Sequence, residues 1–294
     1  MIHVVLASDR NLVRQAGIAA LSARRQTAAP LRVTFLTPAQ DASSGLWDTV
    51  TRALAAERTE CEVRPVQIAL PELQLAAHLT PVTYYRLLLP RLLPERDERV
   101  IYLDCDVLVN TDLGELWAHE LGDRSLAGVP DPKFQEWTRL GIDPSDGYFN
   151  AGVLLLDLAS IRRERLFEAA LRFSQEHPEA LTWSDQCALN RVFTKRWSPL
   201  DKRWNYQHAA MVQDASESGL ARAVEIASTS VVHFNNYNRP WLPESWHPLQ
   251  RRYFAVVASR PELDPRVSPT LSQRVTRLKR MVKWRVDRLR RASP

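Results

Sequence analysis

VIYLDCDVLVN, residues 100–110, decides how this chain folds. Val100, Ile101, Tyr102 and Leu103 form an unbroken apolar run, the pattern of a strand covered on both faces. Two carboxylates, Asp104 and Asp106, then stand one residue apart where the apolar run would otherwise continue. A core strand that ends in paired negative charge predicts an α/β sheet whose strand ends carry the chemistry.

The rest of the chain bounds that reading. Its 294 residues suffice for one large core or two modest ones, and 45% hydrophobic with 25% charged residues is ordinary for a globular protein. The first ten residues, MIHVVLASDR, lack the basic stretch and apolar run of a secretory signal. No segment approaches the ~20 apolar residues that span a bilayer. Cys61, Cys105 and Cys187 are few, odd in number and far apart, which argues against a disulfide framework or structural zinc and predicts a cytosolic protein. The net charge of +5 is a property of the C-terminus. Residues 268–294 hold nine Lys and Arg against Asp287 alone, which leaves residues 1–267 at −3. A nucleic-acid enzyme would spread its positive charge over the folded surface, so no nucleic-acid partner is expected.

Strand and helix patterns alternate along the body. IHVVLAS, LRVTFLT (31–37), residues 100–103, SLAGVPD (125–131), AGVLLLDL (151–158) and TSVVHFN (229–235) read as strands. EVRPVQI (62–68) is demoted to an edge or an irregular position by Pro65. Helices are expected from residue 12, over 43–57, over 83–93 with Pro90 as a kink or end, and over 160–176 and 183–196. The order predicts an α/β sandwich with a mostly parallel central sheet, residues 1–262 forming the body and 263–294 a separate tail.

Three stretches carry candidate chemistry. Asp9, Asp104 and Asp106 lie just past strand ends, where an open α/β sheet gathers its ligands. Acids after strands are common, but a rigid pair of like charges calls for a cation, and hard oxygen donors suit Mn²⁺ or Mg²⁺. In VVHFNNYNRPW (231–241), His233 ends a strand before a donor-rich run with Arg239; the plainer reading is a satisfied core histidine. In GYFNAGVLLLDL (147–158), small residues open a strand where a ligand can approach the backbone, or where the chain merely turns into the core.

Taken in order, VVLASDRN, TYYRLLLPRLL, VIYLDCDVLVNTDLGELW, GYFNAGVLLLDL, WSDQCALN and HFNNYNRPW cover roughly residues 2–245, and this set resembles the retaining glycosyltransferases of family 8, which include glycogenin and bacterial lipopolysaccharide galactosyl- and glucosyltransferases. The resemblance implies a GT-A fold, a Rossmann-like sandwich that binds a UDP-hexose with Mn²⁺ (or Mg²⁺) and transfers the hexose to a glycan acceptor, such as lipopolysaccharide. It implies that Asp104, Asp106 and His233 hold the metal. Ala7, Asp9 and Asn11 would line the uridine pocket beside Cys105, and Arg86 would reach the phosphates or sugar. Asn150, Ala151 and Gly152 would face the ribose and sugar, with Asn236 and Arg239 on the donor loop. Asp185 would accept from sugar hydroxyls, Gln186 would sit by the anomeric carbon and Asp131 near the acceptor.

The chain also departs from the family pattern. Leu12 stands where an aromatic usually stacks on uracil, and Asn236 and Arg239 replace the glycine and lysine of the HFxGxxKPW loop. Asn tolerates positive φ, whereas Arg offers a planar fork in place of a point charge. A nucleotidyltransferase would use similar strand-end carboxylates but would follow its first strand with a Gly-rich loop, which LASDRNLVRQAG lacks. A non-catalytic sugar-nucleotide binder is the other alternative. The tail has Leu271, Val275, Leu278, Val282, Val286 and Leu289 on one helical stripe, with Trp284 beside it and basic residues elsewhere. It reads as an amphipathic helix that rests peripherally on an anionic inner leaflet, or else packs on the body.

Overall fold

The structure is a computed structural model and describes the chain apart from residues 68–72, 74–79, 132, 236–238 and 292–294, and the side chains of 283–291. Asn236, Trp284, Val286 and Leu289 therefore lie outside the described residues. Among the described residues there are ten strands: β1 (Ile2–Ala7), β2 (Leu31–Pro38), β3 (Glu60–Val66), β4 (Arg99–Leu103), β5 (Val107–Val109), β6 (Leu126–Pro130), β7 (Phe149–Asp157), β8 (Trp197–Pro199), β9 (Tyr206–Gln207) and β10 (Val231–His233). Seven form the central sheet in the order β3-β2-β1-β4-β7-β6-β8, and β5-β10-β9 form a small second sheet. In the central sheet β7 alone runs against its neighbours. Pro65 does sit on the sheet edge, where the missing N–H costs no ladder bond.

Alternation along the buried strands builds two cores. Val4, Leu6, Ile101, Leu103, Val153 and Leu155 face one side with Val33, Phe35 and Trp47. Val5, Ala7, Val100, Tyr102, Leu154 and Leu156 face the other with Tyr84, Leu88 and Phe167. Period-2 side chains with both faces covered explain why these strands read as continuous apolar runs. The direction of β7 matters most for function. It pairs antiparallel with β4, Leu103 opposite Val153, so the start of β7 meets the end of β4. Asp104 N donates to Gly152 O at 2.8 Å across that junction.

Local differences from the expected elements have identifiable causes. Residues 81–88 form a 3₁₀ helix and only Leu89–Leu92 an α turn, with Pro90 in its first turn, where a missing N–H is tolerated. The single helix expected over 160–176 is two, Leu158–Arg163 and Leu166–Glu176, broken at Arg165 with φ 54°. Helices at His208–Ser218, Leu220–Ala227 and Gln250–Ala258 are additional. Leu263 is buried against the first core, and a 21-residue helix, Leu271–Arg291, follows it. No helix among the described residues is long and apolar enough to cross a membrane.

Candidate active site

Asp104 and Asp106 follow β4, and His233 ends β10. The two sheets meet here because β10 pairs antiparallel with β5, setting His233 opposite Val107, one residue beyond Asp106. His233 Nε2 lies 3.1 Å from Asp106 Oδ1 and 3.7 Å from Asp104 Oδ2. One ligand atom from each of the three comes within 4.8 Å of the others, and among the described residues this is the one such group. Two hard carboxylates and an imidazole suit Mn²⁺, with Mg²⁺ the oxygen-preferring alternative. Gly152 keeps the space open: a Cβ there would stand 2.2 Å from His233 Cε1 and 3.0 Å from Asp104 Oδ2. The residues present thus fit a divalent cation.

Cationic side chains flank the cluster. Arg86 is buried, with Nη2 donating to Asp104 Oδ1 at 3.0 Å, Nη1 donating to Ala151 O and its guanidinium 4.5 Å above the Tyr102 ring. Its Nε lies 2.8 Å from Asp185 Oδ2 but donates to Thr83 O. Arg239 Nη2 lies 3.2 Å from Asp106 Oδ2. Burial works against the charge on Asp106, but His233 and Arg239 outweigh it and hold the carboxyl down at about 2. Burial likewise opposes the His233 charge, and Asp106 overcomes it, so that group is raised. Asp185 behaves in the opposite sense. Burial pushes its carboxyl up to about 6 despite Arg86 and the 2.6 Å hydrogen bond from the Thr83 hydroxyl to Oδ1.

Asp185 and Gln186 open the helix Asp185–Val192, entered through Ser184 at φ 48°, a value seldom adopted by residues other than glycine. Gln186 is locked by its neighbours: Oε1 accepts from Ala151 N at 3.0 Å, and Nε2 donates to the Tyr148 hydroxyl at 3.2 Å. Asn190 fastens this helix to β7 by accepting from Phe149 N and donating to Phe149 O. Arg86, Asp104, Asp106, Ala151, Gly152, Asp185, Gln186, His233 and Arg239 thus form one connected constellation.

The remaining residues lie around it. Ala7 O accepts from Cys105 Sγ at 3.0 Å, which ties the end of β1 to the aspartate pair, and burial pushes the Cys105 thiol up into an inert form. Asp9 Oδ1 accepts from Asn11 N, shaping the turn after β1, with Asn11 exposed. Asp131 follows β6; its N donates to Tyr148 O, and its carboxylate accepts from Lys133 N, so its contacts among the described residues lie outside the constellation. Thr83 and Asn205 join the site without having been singled out from the sequence. Their partners are 102 and 28 residues away; Thr83 opens the TYYRLLLPRLL segment, but nothing in that segment marks its hydroxyl as a partner of Asp185, and Asn205 lies in no quoted segment.

Comparison with known proteins assigns the chain a family and a fold. General stress protein A of Bacillus subtilis (strain 168) is 31% identical over 191 residues, 62% of this chain and 67% of that protein. The lipopolysaccharide 1,3-galactosyltransferase of Salmonella typhimurium is 24% identical over 191 residues, 62% of this chain and 56% of that protein. The chain spans less of other relatives, 38% of the glycosyltransferase GlyF of Streptococcus pneumoniae for instance. Among solved structures, the galactosyltransferase LgtC, in complex with donor and acceptor sugar analogs, superposes with a TM-score of 0.76 at 24% identity. That match covers 94% of this chain and all of LgtC, so the fold is of the GT-A type. The sequence profile of glycosyl transferase family 8 matches residues 3–245, a span that runs from β1 past β10 and takes in every residue of the constellation, and the chain therefore belongs to that family.

Proposed function

We propose that this protein is a retaining hexosyltransferase that moves a hexose from a UDP-sugar to a hydroxyl of a surface glycan, with lipopolysaccharide the favoured acceptor class. The observation that carries this reading is the joining of Asp104, Asp106 and His233 into one potential cation site beside two arginines. In that arrangement the three residues hold Mn²⁺ or Mg²⁺, and Arg86 and Arg239 face the donor diphosphate. The cation, when bound, supplies positive charge against the charge that develops on the departing diphosphate. Ala7, Asp9, Asn11 and Cys105 border the nucleoside, and Asn150, Ala151 and Gly152 border the ribose and sugar. Asp131, past β6, faces the acceptor side.

Asp185 serves as a sugar-binding residue. Thr83 occupies Oδ1 and Arg86 stands against Oδ2, so the carboxylate is held on both sides. Gln186 is an amide whose Oε1 already accepts from Ala151 N, leaving a second lone pair for the developing positive charge at the anomeric carbon. We favour a same-face reaction through an oxocarbenium-like transition state, in which the leaving phosphate oxygen takes the proton of the incoming hydroxyl. A nucleotidyltransferase reading finds no phosphate-cradling Gly-rich loop after β1.

The C-terminal helix supports peripheral attachment to an anionic inner leaflet. Leu271, Val275, Leu278 and Val282 are 79%, 45%, 55% and 47% exposed, so this face of the helix is left uncovered by the body. Arg280 Nη1 donates to Glu244 O, one tie between helix and body. An uncovered apolar stripe among basic residues fits a membrane surface, with each well-placed basic residue worth up to ~1 kcal/mol.

A screen of UDP-sugars with Mn²⁺, followed as UDP release with and without acceptor glycans, tests the reading. Turnover of at least one UDP-hexose that stops in excess chelator is expected. Failure of every UDP-hexose, or undiminished turnover in chelator, overturns it.

A further inference from the structure

We infer that Asn205 is a positioning residue that, through a hydrogen-bond relay starting at a backbone amide of β7, fixes His233 in the tautomer that turns Nε2 toward the aspartate pair. The inference rests on the metal-site reading above and extends it to a residue that does not itself touch donor or cation.

The relay begins at a group whose direction is not in doubt. The Gly152 backbone N–H can only donate, and it donates to Asn150 Oδ1 at 3.0 Å. That contact fixes the orientation of the Asn150 amide, with oxygen inward. Asn205 Nδ2 donates to the same oxygen at 2.8 Å, so the Asn205 amide is oriented in turn. Its Oδ1 is thereby left facing His233 Nδ1 at 2.9 Å. An amide oxygen can only accept, so His233 Nδ1 must carry the hydrogen. Nε2 is then the nitrogen that points at Asp106 and Asp104, 3.1 and 3.7 Å away. A metal-binding histidine needs its other ring nitrogen hydrogen-bonded to set tautomer and ring angle, and here an asparagine supplies what a carboxylate or backbone carbonyl often does.

The placement of Asn205 follows from the fold. It ends the 3₁₀ turn Lys202–Asn205, anchored by the neighbouring buried Trp204, and precedes β9. β9 runs parallel to β10 with Tyr206 opposite Val232 and Gln207 opposite His233. All three relay side chains are buried, Asn150 at 6%, Asn205 at 1% and His233 at 4% exposure, so water does not compete for these bonds. The relay also joins the two sheets, because Asn150 belongs to β7 and His233 to β10. It therefore sets the metal-facing histidine against the strand that borders the sugar.

Mn²⁺ titration followed by electron paramagnetic resonance on the purified protein tests the relay without an activity assay. Asn205→Leu keeps the approximate size and removes both polar groups, and it should weaken Mn²⁺ binding about 10–100-fold. Asn205→Asp keeps an acceptor for Nδ1–H but loses the donor to Asn150 Oδ1, so it should bind Mn²⁺ more tightly than Asn205→Leu and less tightly than the native protein. A second measurement needs no variant at Asn205. Long-range ¹H–¹⁵N spectra of histidine-labelled native protein in Mg²⁺, with His233 assigned from His233→Ala, should show a protonated Nδ1 and a bare Nε2. Native Mn²⁺ binding left unchanged by Asn205→Leu, or the opposite tautomer in the spectra, overturns the relay alone. Absence of Mn²⁺ binding to the native protein overturns the metal centre and the relay with it.

Discussion

Arg239 Nη2 lies 3.2 Å from Asp106 Oδ2, so the guanidinium that follows β10 rests on a carboxylate of the aspartate pair. On the proposed reading, a cation at the aspartate pair would give Asp106 a new partner and leave Arg239 free to meet phosphate oxygens. Arg239→Ala should raise the Kd for UDP about 10–100-fold, as expected for the loss of charge-assisted hydrogen bonds. Arg239→Lys should fall between the two, because the charge stays and the planar fork is lost. Calorimetric titration of UDP into the three proteins checks the order, and equal affinities would refute it.

Asp185 gives a pH signature with a definite sign. Its carboxyl is raised to about 6, chiefly by burial, with Arg86 and Thr83 offsetting part of that cost. The unfolded group titrates near 3.8, so between the two values the folded state binds more protons and stability falls as pH rises. Above about pH 6 the full burial cost of the charged form is present. Asp185→Asn cannot ionise and escapes that cost. Relative to the native protein, the variant should therefore gain on the order of 3 kcal/mol in unfolding free energy between pH 3.8 and 7. Urea denaturation at several pH values measures this. A constant difference across that range would show that the buried carboxyl does not titrate as described. The same variant should lose discrimination among hexose donors.

The strand ends were legible because their chemistry is local. An apolar run followed by Asp104 and Asp106 declares both a buried strand and a charged terminus, and β4 and its pair follow that pattern. The small residues opening β7 suggest room for a ligand at the backbone; what the absent Cβ of Gly152 accommodates in the structure is the His233 ring. What the pattern could not express was the direction of β7. Its apolar run looks the same in either sense, yet only the antiparallel pairing brings Asn150–Gly152 to the end of β4. Thr83 and Asn205 were silent for a related reason: each acts through side-chain hydrogen bonds to residues far along the chain, and single polar residues have no periodicity. The 83–93 stretch was read as one helix because its apolar spacing satisfies both 3₁₀ and α geometry over so few turns.

His247 bears on stability beside the end of β10. It packs edge-on against Phe234 at 4.9 Å, accepts from Leu249 N, and lies 6.0 Å from His208. Burial first, and His208 second, push it down to about 3. The folded value lies below the unfolded 6.5, so the unfolded state binds the extra proton and stability is lost as pH falls from 6.5 toward 3. His247→Asn keeps an acceptor for Leu249 N without a titrating ring. The native protein should lose about 2 kcal/mol more than this variant between pH 6.5 and 4.5. Parallel acid-denaturation curves would count against it.

The C-terminal helix predicts lipid binding that depends on surface charge. Full-length protein should sediment with anionic vesicles at low salt and be released as ionic strength rises, because exposed basic residues act within a Debye length. Protein truncated after residue 267 should stay in the supernatant while keeping UDP-sugar turnover. Equal sedimentation of the two would show that the uncovered stripe from Leu271 to Val282 has another role.

The mechanism separates most cleanly at Gln186 and Asp185. A double-displacement route needs a free carboxylate beneath the anomeric carbon. Gln186 is an amide held by Ala151 N and the Tyr148 hydroxyl, and Asp185 is held by Thr83 and Arg86. Consecutive helical residues also point about 100° apart, so the two do not address one atom. Gln186→Ala should lower kcat about 10–100-fold, the weight of one well-placed dipole at a developing charge, with donor KM little changed. Product stereochemistry should remain retained in that variant, because the same-face route does not pass through the residue. Rapid-quench mass spectrometry of native protein with donor alone should find no glycosylated peptide from residues 182–190. A covalent adduct on Asp185 that forms and decays at the rate of turnover would establish double displacement instead.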